Sequence, residues 1–276
     1  MKQRILLFLV CLLQALALFP ENPGHFFGQY NFKFITENTG LPYSFVDDIF
    51  KDSDGYIWVA THYGIGRYDG YQFLNFNKQT EPIKLKNDFV HKICEDNFHR
   101  LWVASEGGID IFDLDTYTSV TLDISEDSPL HQLLNEYVHT IYKDKKGDLW
   151  ISSNKDLWCI ELDKKGTVAN YYCLKNGYSS PVHGILDVNR TICAGIDNEV
   201  CRLEKRPGNR LEAKILSDSL VSFSKDWRIS CLEADGDVIW IGSNRGLFRY
   251  NQKEQSLKRY RYSTHRPGML SQAFIT

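Results

Sequence analysis

Apolar residues fall along this chain in short runs separated by turns rich in Asp, Gly and Asn, and the same run keeps returning. Val46-x-x-Ile49 leads through a turn to Ile57-Trp58-Val59-Ala60-Thr61 and then Gly64-Ile65-x-Arg67-Tyr68-Asp69. The second copy reads Val90-x-x-Ile93, Leu101-Trp102-Val103-Ala104-Ser105 and Gly108-Ile109-x-Ile111-Phe112-Asp113. The third reads Val138-x-x-Ile141, Leu149-Trp150-Ile151-Ser152-Ser153 and Asp156-Leu157-Trp158; a weaker fourth is Ile192-Cys193-Ala194-Gly195 with Val200-Cys201-Arg202-Leu203. The fifth holds Ile239-Trp240-Ile241-Gly242-Ser243 and Gly246-Leu247-Phe248-Arg249-Tyr250. Successive marker positions 58, 102, 150, 193 and 240 lie 44, 48, 43 and 47 residues apart. A repeat of this length means an array in which each unit buries an apolar face against its neighbour.

Each unit reads as strands: short segments rich in Val, Ile, Trp, Tyr and Phe, bounded by turn residues. Asp54-Gly55, Lys146-Gly147-Asp148 and Asp235-Gly236-Asp237 supply positive-φ residues for tight hairpins. The second copy has no Gly there, so Asn97 is expected to take that conformation. No window in the repeats shows a helical period. In Ile57-Trp58-Val59-Ala60 neighbouring residues are both apolar, so both faces of the sheet are covered. Small antiparallel sheets stacked around an axis meet that demand at about 40–50 residues per unit. The predicted fold is all-β, a β-propeller of four-stranded antiparallel blades, with five repeats and the start of a sixth. A β-sandwich is the alternative, but it gives no reason for the recurring Trp. Blades are expected near 41–80, 85–125, 133–175, 180–216 and 226–263, with a truncated repeat from 270. Trp58, Trp102, Trp150 and Trp240 read as core wedges between blades in preference to sugar platforms.

Composition changes this picture little. The hydrophobic share is 43% and the aromatic share 13%, which suits an all-β core, and the net charge of -3 gives no electrostatic case for nucleic acid. The first twenty residues stand apart. Lys2 and Arg4 precede an apolar run from Ile5 to Leu13, which resumes at Ala15 after Gln14. A basic start, a short apolar stretch and Ala15-x-Ala17 predict a secretory signal peptide over 1–20, with an uncleaved signal anchor as the alternative. The chain is therefore expected to be exported to the periplasm, or tethered to the inner membrane if the signal is retained. Cys94, Cys159, Cys173, Cys193, Cys201 and Cys231 show no framework spacing and no C-x-x-C pair. They read as buried thiols, with a Cys193–Cys201 bridge across one hairpin as the alternative.

Laid side by side, V-x-x-I, an Asp/Gly turn, [IL]-W-[IV]-[AGS]-[TS] and G-[IL]-x-R-[YF]-[DN] resemble the repeats of the two-component regulator propeller family. Gly40-Leu41-Pro42-Tyr43-Ser44-Phe45-Val46 is similar to the opening of that repeat. The resemblance covers residues 28–276. It implies the periplasmic sensor region of a hybrid two-component histidine kinase, of the type common in gut Bacteroidetes, and an oligosaccharide as ligand. It also implies a homodimer formed through the full-length sensor, held in the inner membrane by C-terminal parts that lie outside this sequence. No second membrane span, phosphoacceptor segment or nucleotide lid follows the repeats. Leu270 to Thr276 resembles the opening of a repeat, so the chain reads as the N-terminal piece of a larger sensor. An open five-blade arc is expected to expose one face of its first blade and one of its last.

Candidate chemistry gathers where the repeat varies. The turns after the Trp strands hold His62 and Tyr63, Glu106, Asn154 and Lys155, Asp197, and Asn244 and Arg245. The segments leading into each first strand, Tyr43-Ser44, Asn87-Asp88, Asn135-Glu136, His183 and Trp227-Arg228, are expected at the same end. Varied polar and aromatic loop residues on a repeated scaffold suit sugar binding by planar hydrogen bonds and ring stacking. No cofactor or metal is expected. Asp52-x-Asp54-Gly55 imitates the start of a calcium loop, but Tyr63 stands where the closing Glu belongs. The histidines lack H-x-x-x-H and H-E-x-x-H spacing and read as loop and strand residues. Asp47 and Asp48 are neighbours on a strand and are expected to face opposite ways. With no G-x-S-x-G elbow or P-loop, the chain is not read as an enzyme. A ligand-sensing module leads, ahead of an exported scaffold for protein interaction and a propeller lyase or lactonase.

Overall fold

A computed structural model describes residues 33–154, 156–175, 181–217 and 227–260. The expected signal peptide (1–20), Lys155 and the truncated repeat from 270 lie outside the described residues. Two compact units are distinguished, residues 1–35 and residues 36–276. Of the first, only 33–35 are described and all three are exposed. The second unit holds every strand among the described residues.

The strands come in antiparallel meanders of four. The first is β1 (Val46–Lys51), β2 (Ile57–Thr61), β3 (Gly64–Tyr68) and β4 (Phe73–Phe76). The second is β5 (Val90–Glu95), β6 (Arg100–Ser105), β7 (Gly108–Asp113) and the short β8 (Thr118–Ser119). After a one-turn helix, α1 (Leu130–Leu133), come β9 (Val138–Lys143), β10 (Leu149–Ser153), β11 (Leu157–Leu162) and β12 (Val168–Leu174). The fourth meander is β13 (Ile185–Val188), β14 (Thr191–Ile196), β15 (Glu199–Arg206) and β16 (Arg210–Ile215). The fifth is β17 (Ile229–Asp235), β18 (Val238–Ser243), β19 (Gly246–Asn251) and β20 (Ser256–Tyr260). Leading strands pack in succession, β1 on β5, β5 on β9 and β13 on β17, so they form the inner ring of a propeller.

Two meanders are joined at their outer edge. The β15–β16 hairpin extends far enough for β16 to meet β12 in a parallel pairing at Cys173 and Arg210. The backbone N–H of Cys173 donates to the Asn209 carbonyl at 3.0 Å. No sequence pattern announces this merger, because it depends on the length of one hairpin and on nothing periodic.

The repeat positions explain the packing. Trp58, Trp102 and Trp150 sit on second strands and are buried, packing with the next meander: Trp58 with Ile93 and Val103, Trp102 with Ile141 and Ile151, Trp150 with Ile185 and Ala194. Cys193, which replaces Trp in the fourth unit, packs with Ile239 and Ile241 of the fifth. These three indoles are also hydrogen-bonded. The Nε1–H groups of Trp58, Trp102 and Trp150 donate to Asp52, Asp96 and Asp144 at 2.7, 2.8 and 3.0 Å. The other oxygen of each carboxylate accepts backbone N–H groups of the hairpin turn, as Asp144 does from Lys146 and Asp148. One buried Asp thus closes the turn and satisfies the wedge. Asp52 belongs to this turn and not to a calcium loop.

The equivalent Ile positions show which faces are covered. Ile93 is 2% exposed and Ile141 1%, but Ile49, in the same register of the first meander, is 67% exposed. At the far end Trp240 is half-buried. The turn of the second meander departs from expectation: positive φ falls on His99 (56°), not on Asn97. Five of the six cysteines in the described residues are buried and Cys231 is half-buried; none is bonded to another. Cys193 lies opposite Arg202, and Cys201 opposite Ala194. No helix among the described residues is long and apolar enough to cross a membrane.

Candidate functional site: a rim of rings at one end of the inner strands

A hydroxyl fixes the turn after the Trp strand in the first, second and fifth meanders. Thr61 Oγ1 donates to the Gly64 carbonyl at 2.8 Å and accepts the Tyr63 N–H; Ser105 and Ser243 do the same with Gly108 and Gly246. The stapled turns hold His62, Glu106 and Asn244 beside the start of the inner strands. The Glu106 N–H donates to the Phe89 carbonyl, and the Asn244 N–H to that of Arg228. A Gly follows because the chain is crowded there: a Cβ on Gly108 (φ 115°) would fall 2.2 Å from the Leu134 carbonyl oxygen.

The inner strands begin with a β-bulge at a repeated position. Pairing slips between Val46 and Asp48, between Val90 and Lys92, beside Val138, and between Ile229 and Cys231. The residues in the slips are Asp47, His91, His139 and Ser230. His183 follows Val182 in the corresponding place, just before β13. A bulge re-aims a side chain that regular pleating would bury or turn away. Here the result is a chain of contacts along the rim. Asp47 lies 3.4 Å from His62 Nε2 and 3.0 Å from His91 Nδ1. His91 stacks on Tyr137 with ring centroids 5.1 Å apart, Tyr137 meets His139 at 4.3 Å, and His139 meets His183 edge-on at 5.5 Å. On the other side His62 stacks between Phe89 (4.7 Å) and Phe45 (5.4 Å), with Tyr43 beyond.

Tyr43, Phe45, Tyr63 and Phe89 are exposed, an apolar half-rim; His91, His139 and His183 form an imidazole half-rim. Burial pushes His139 down to about 4, against the hydrogen bond that its Nε2–H donates to Asn154 Oδ1 at 2.7 Å; the His183 and His91 rings lower it further. His183 is lowered by burial and by His91, although its side chain shows at the surface. Burial, then the Glu106 and Asp47 carboxylates, raise Tyr137. Below the rim is a cavity of about 670 Å³ between inner strands, lined by Lys92, Thr140, Tyr142, His183, Asp187 and Glu233 among others. That volume is in the range of small-ligand sites, about 300–1,000 Å³.

The sequence-predicted residues divide. His62, Tyr63 and Asn154 stand on the rim, and Glu106 stands close enough to act on Tyr137. Asp197 is half-buried at positive φ and its carbonyl accepts the Ile229 N–H; Asn244 and Arg245 sit on the turn of the fifth meander, where the Arg245 carbonyl accepts from Arg259. Trp227, expected among the loop residues of the rim, is instead 2% exposed and packs edge-on against Phe248 in the core between the fourth and fifth meanders. Asp47, in the bulge, reaches His62 and His91, while Asp48 accepts from Lys92 Nζ at 2.7 Å and the Ile93 N–H at 3.0 Å, so the two carboxylates have separate partners. His91 and His139 are the residues that the sequence reading missed, whereas His183 was among those expected at this end. The signal was present as a His after the repeat Val in three units. Among the described residues no three His, Cys, Asp or Glu side chains converge as a metal site.

A family profile described as two component regulator propeller matches residues 40–63, 84–107 and 132–155. Each stretch runs from the segment leading into an inner strand, through the bulge and the Trp strand, to the rim turn. The chain carries two component regulator propeller repeats. The propeller is also similar to solved structures. One is the extracellular domain described as that of a hybrid two component system, BT4673, from B. thetaiotaomicron: TM-score 0.58, 19% identity, 82% of this chain and 31% of that one. A second, BT3049 from the same organism and described in the same terms, gives 0.51 at 15% identity over 88% of this chain and 38% of that one. PorZ, a bacterial surface component of the type-IX secretion system of Porphyromonas gingivalis, gives 0.57 at 12% identity over 82% and 34%. At these identities the likeness establishes the fold. The chain spans about a third of the length of these structures. No curated protein matches it.

Proposed function

We propose that this chain is the extracytoplasmic ligand-sensing propeller of a two-component signal transduction protein, and that its ligand is an oligosaccharide. The observation that carries the reading is the rim, where four exposed rings and three imidazoles gather at one end of the inner strands and His183 lines a cavity sized for a few sugar units. Aromatic faces stack on the C–H faces of pyranoses, and imidazoles, Asn154 and Glu106 offer the planar hydrogen bonds that fix orientation. The family of the repeats and the extracellular domains among the similar structures support it. Export by the expected signal peptide belongs to the same reading. Signalling would follow from a ligand that binds one arrangement of two protomers better than another.

A second reading, an exported scaffold for another protein, is favoured by the exposed apolar side chains of the first meander and the segment before it, Tyr43, Phe45, Val46 and Ile49. A glycan microarray separates the two. The sensing reading predicts retention of one oligosaccharide class by the purified protein, lost in Phe89→Ala and His62→Ala variants with unchanged circular dichroism. An array with no retained glycan, together with recovery of one defined protein partner, would replace it with the scaffold reading.

A further inference from the structure

The imidazole arc is more specialised than sugar stacking demands. Three histidines occupy one register position in consecutive units, two of them in bulges, and they touch through His91–Tyr137–His139–His183. His91 Nε2 is buried with no hydrogen-bond partner. Acidic groups lie to one side: Asp47 faces His62 and His91, and Glu106 acts on Tyr137. Lys92 is engaged by Asp48. Neither His139 nor His183 makes an ion pair among the described residues, and each is disfavoured as a cation by burial and by neighbouring imidazoles; the cavity that His183 lines also presents Asp187, Glu233 and Lys145. His183 lines the cavity between the inner strands, and His139 meets it edge-on at 5.5 Å.

Resting on the sensing reading above, we propose that His139 and His183, with His91 beside them, seat an oxyanion: the carboxylate or sulfate ester of an acidic saccharide. His139 and His183, unlike His91 with its Asp47 partner, are held toward the neutral form, because an added charge is opposed by burial and by the neighbouring rings. An oxyanion reverses that balance. It accepts N–H bonds and stabilises the protonated rings, so it binds together with protons drawn from solvent. By linkage, a ligand that raises the imidazole pKa values must itself bind more tightly as pH falls. A metal ion is the other common occupant of a His cluster, but these rings are spread along the rim and do not converge.

The test is a pH titration of the histidine ring protons by NMR, with sodium glucuronate, inorganic sulfate or glucose added at matched ionic strength. His131, exposed and bonded to the Ser125 carbonyl on α1, is the internal control. The expected result is a rise of about half a unit or more in the titration midpoints of His139 and His183 with an anion, none with glucose and none at His131. Glucuronate alone acting would assign a carboxylate, sulfate alone a sulfate ester. Affinity for the effective anion should rise about threefold or more from pH 7.5 to 5.5, and the rise should vanish in His139→Asn/His183→Gln with an unchanged melt. No movement with either anion, or equal movement at His131, overturns the proposal. Equal movement with glucose overturns it too, while leaving the sensing reading standing for a neutral ligand.

Discussion

Replacing Asp144 by Ala tests how a blade is held. Asp144 is 6% exposed; one oxygen accepts the Trp150 Nε1–H at 3.0 Å and the other accepts the Lys146 and Asp148 N–H groups at 2.8 and 3.0 Å. Trp150 is 2% exposed, so its indole N–H has no route to water once the carboxylate is gone. A buried donor left unsatisfied costs about 1–3 kcal/mol, and hydrogen bonds to a charged acceptor contribute about 1.5–3 kcal/mol each. Lys146 is exposed and Asp148 half-buried, so water can replace much of what their N–H groups lose. The expected destabilisation is therefore about 2–4 kcal/mol, below the simple sum. Asp144→Asn keeps one acceptor oxygen, which can serve the turn or the indole but not both, and should cost about half as much. Urea unfolding followed by circular dichroism and Trp fluorescence measures both variants. A Trp150→Phe background removes the donor, and there the Asp144→Ala cost should shrink by about 1–2 kcal/mol. An Asp144→Ala variant within about 0.5 kcal/mol of the parent, the range of an ordinary surface change, would mean that this carboxylate does not hold the blade.

Other contacts carry further expected outcomes. Gly108→Ala puts a Cβ 2.2 Å from the Leu134 carbonyl at a φ of 115° and should lose about 2–4 kcal/mol in the same unfolding assay. Ile93→Ala should cost about 2–5 kcal/mol, whereas Ile49→Ala, in the same register but 67% exposed, should stay within about 0.5 kcal/mol. Burial opposes charge on His99, but Asp115, Asp54 and Glu95 outweigh it and raise its pKa. A raised His stabilises when protonated, so the parent's advantage over His99→Asn should be full below about pH 6.5. It should then fade as pH rises through the higher folded value, read as urea midpoints at pH 6 and pH 9; Asn is chosen because it tolerates the positive φ of this position.

Much of this architecture was legible in the chain. The spacing of Trp58, Trp102, Trp150 and Trp240, and runs with both neighbours apolar, pointed to stacked four-stranded sheets because burial on two faces leaves that imprint. The Asp six residues before each of the first three Trp was equally visible, but a Gly in the turn already accounts for a hairpin, so nothing singled out the carboxylate. The rim was half legible. Turn positions such as His62 and Asn154 could be placed by counting from the Trp. His91 and His139 could not, because regular alternation gives no warning of a bulge, and the slipped register brings them into line with His183. Trp227 misled for the opposite reason: a position outside the strands suggested display, while its size made it a core residue. The β12–β16 pairing was invisible because it joins distant segments through hairpin length alone.

If the ring-lined end of the inner strands is where a ligand is read, binding must leave its mark there. Hydrogen–deuterium exchange, run with and without the oligosaccharide retained on the microarray, would show it. Protection should be confined to residues 43–47, 62–63, 89–91, 137–139 and 183, with the opposite-end turns at 52–55, 96–99 and 144–148 unchanged. Protection centred on those opposite turns, with the rim unaffected, would place the ligand elsewhere and contradict this assignment.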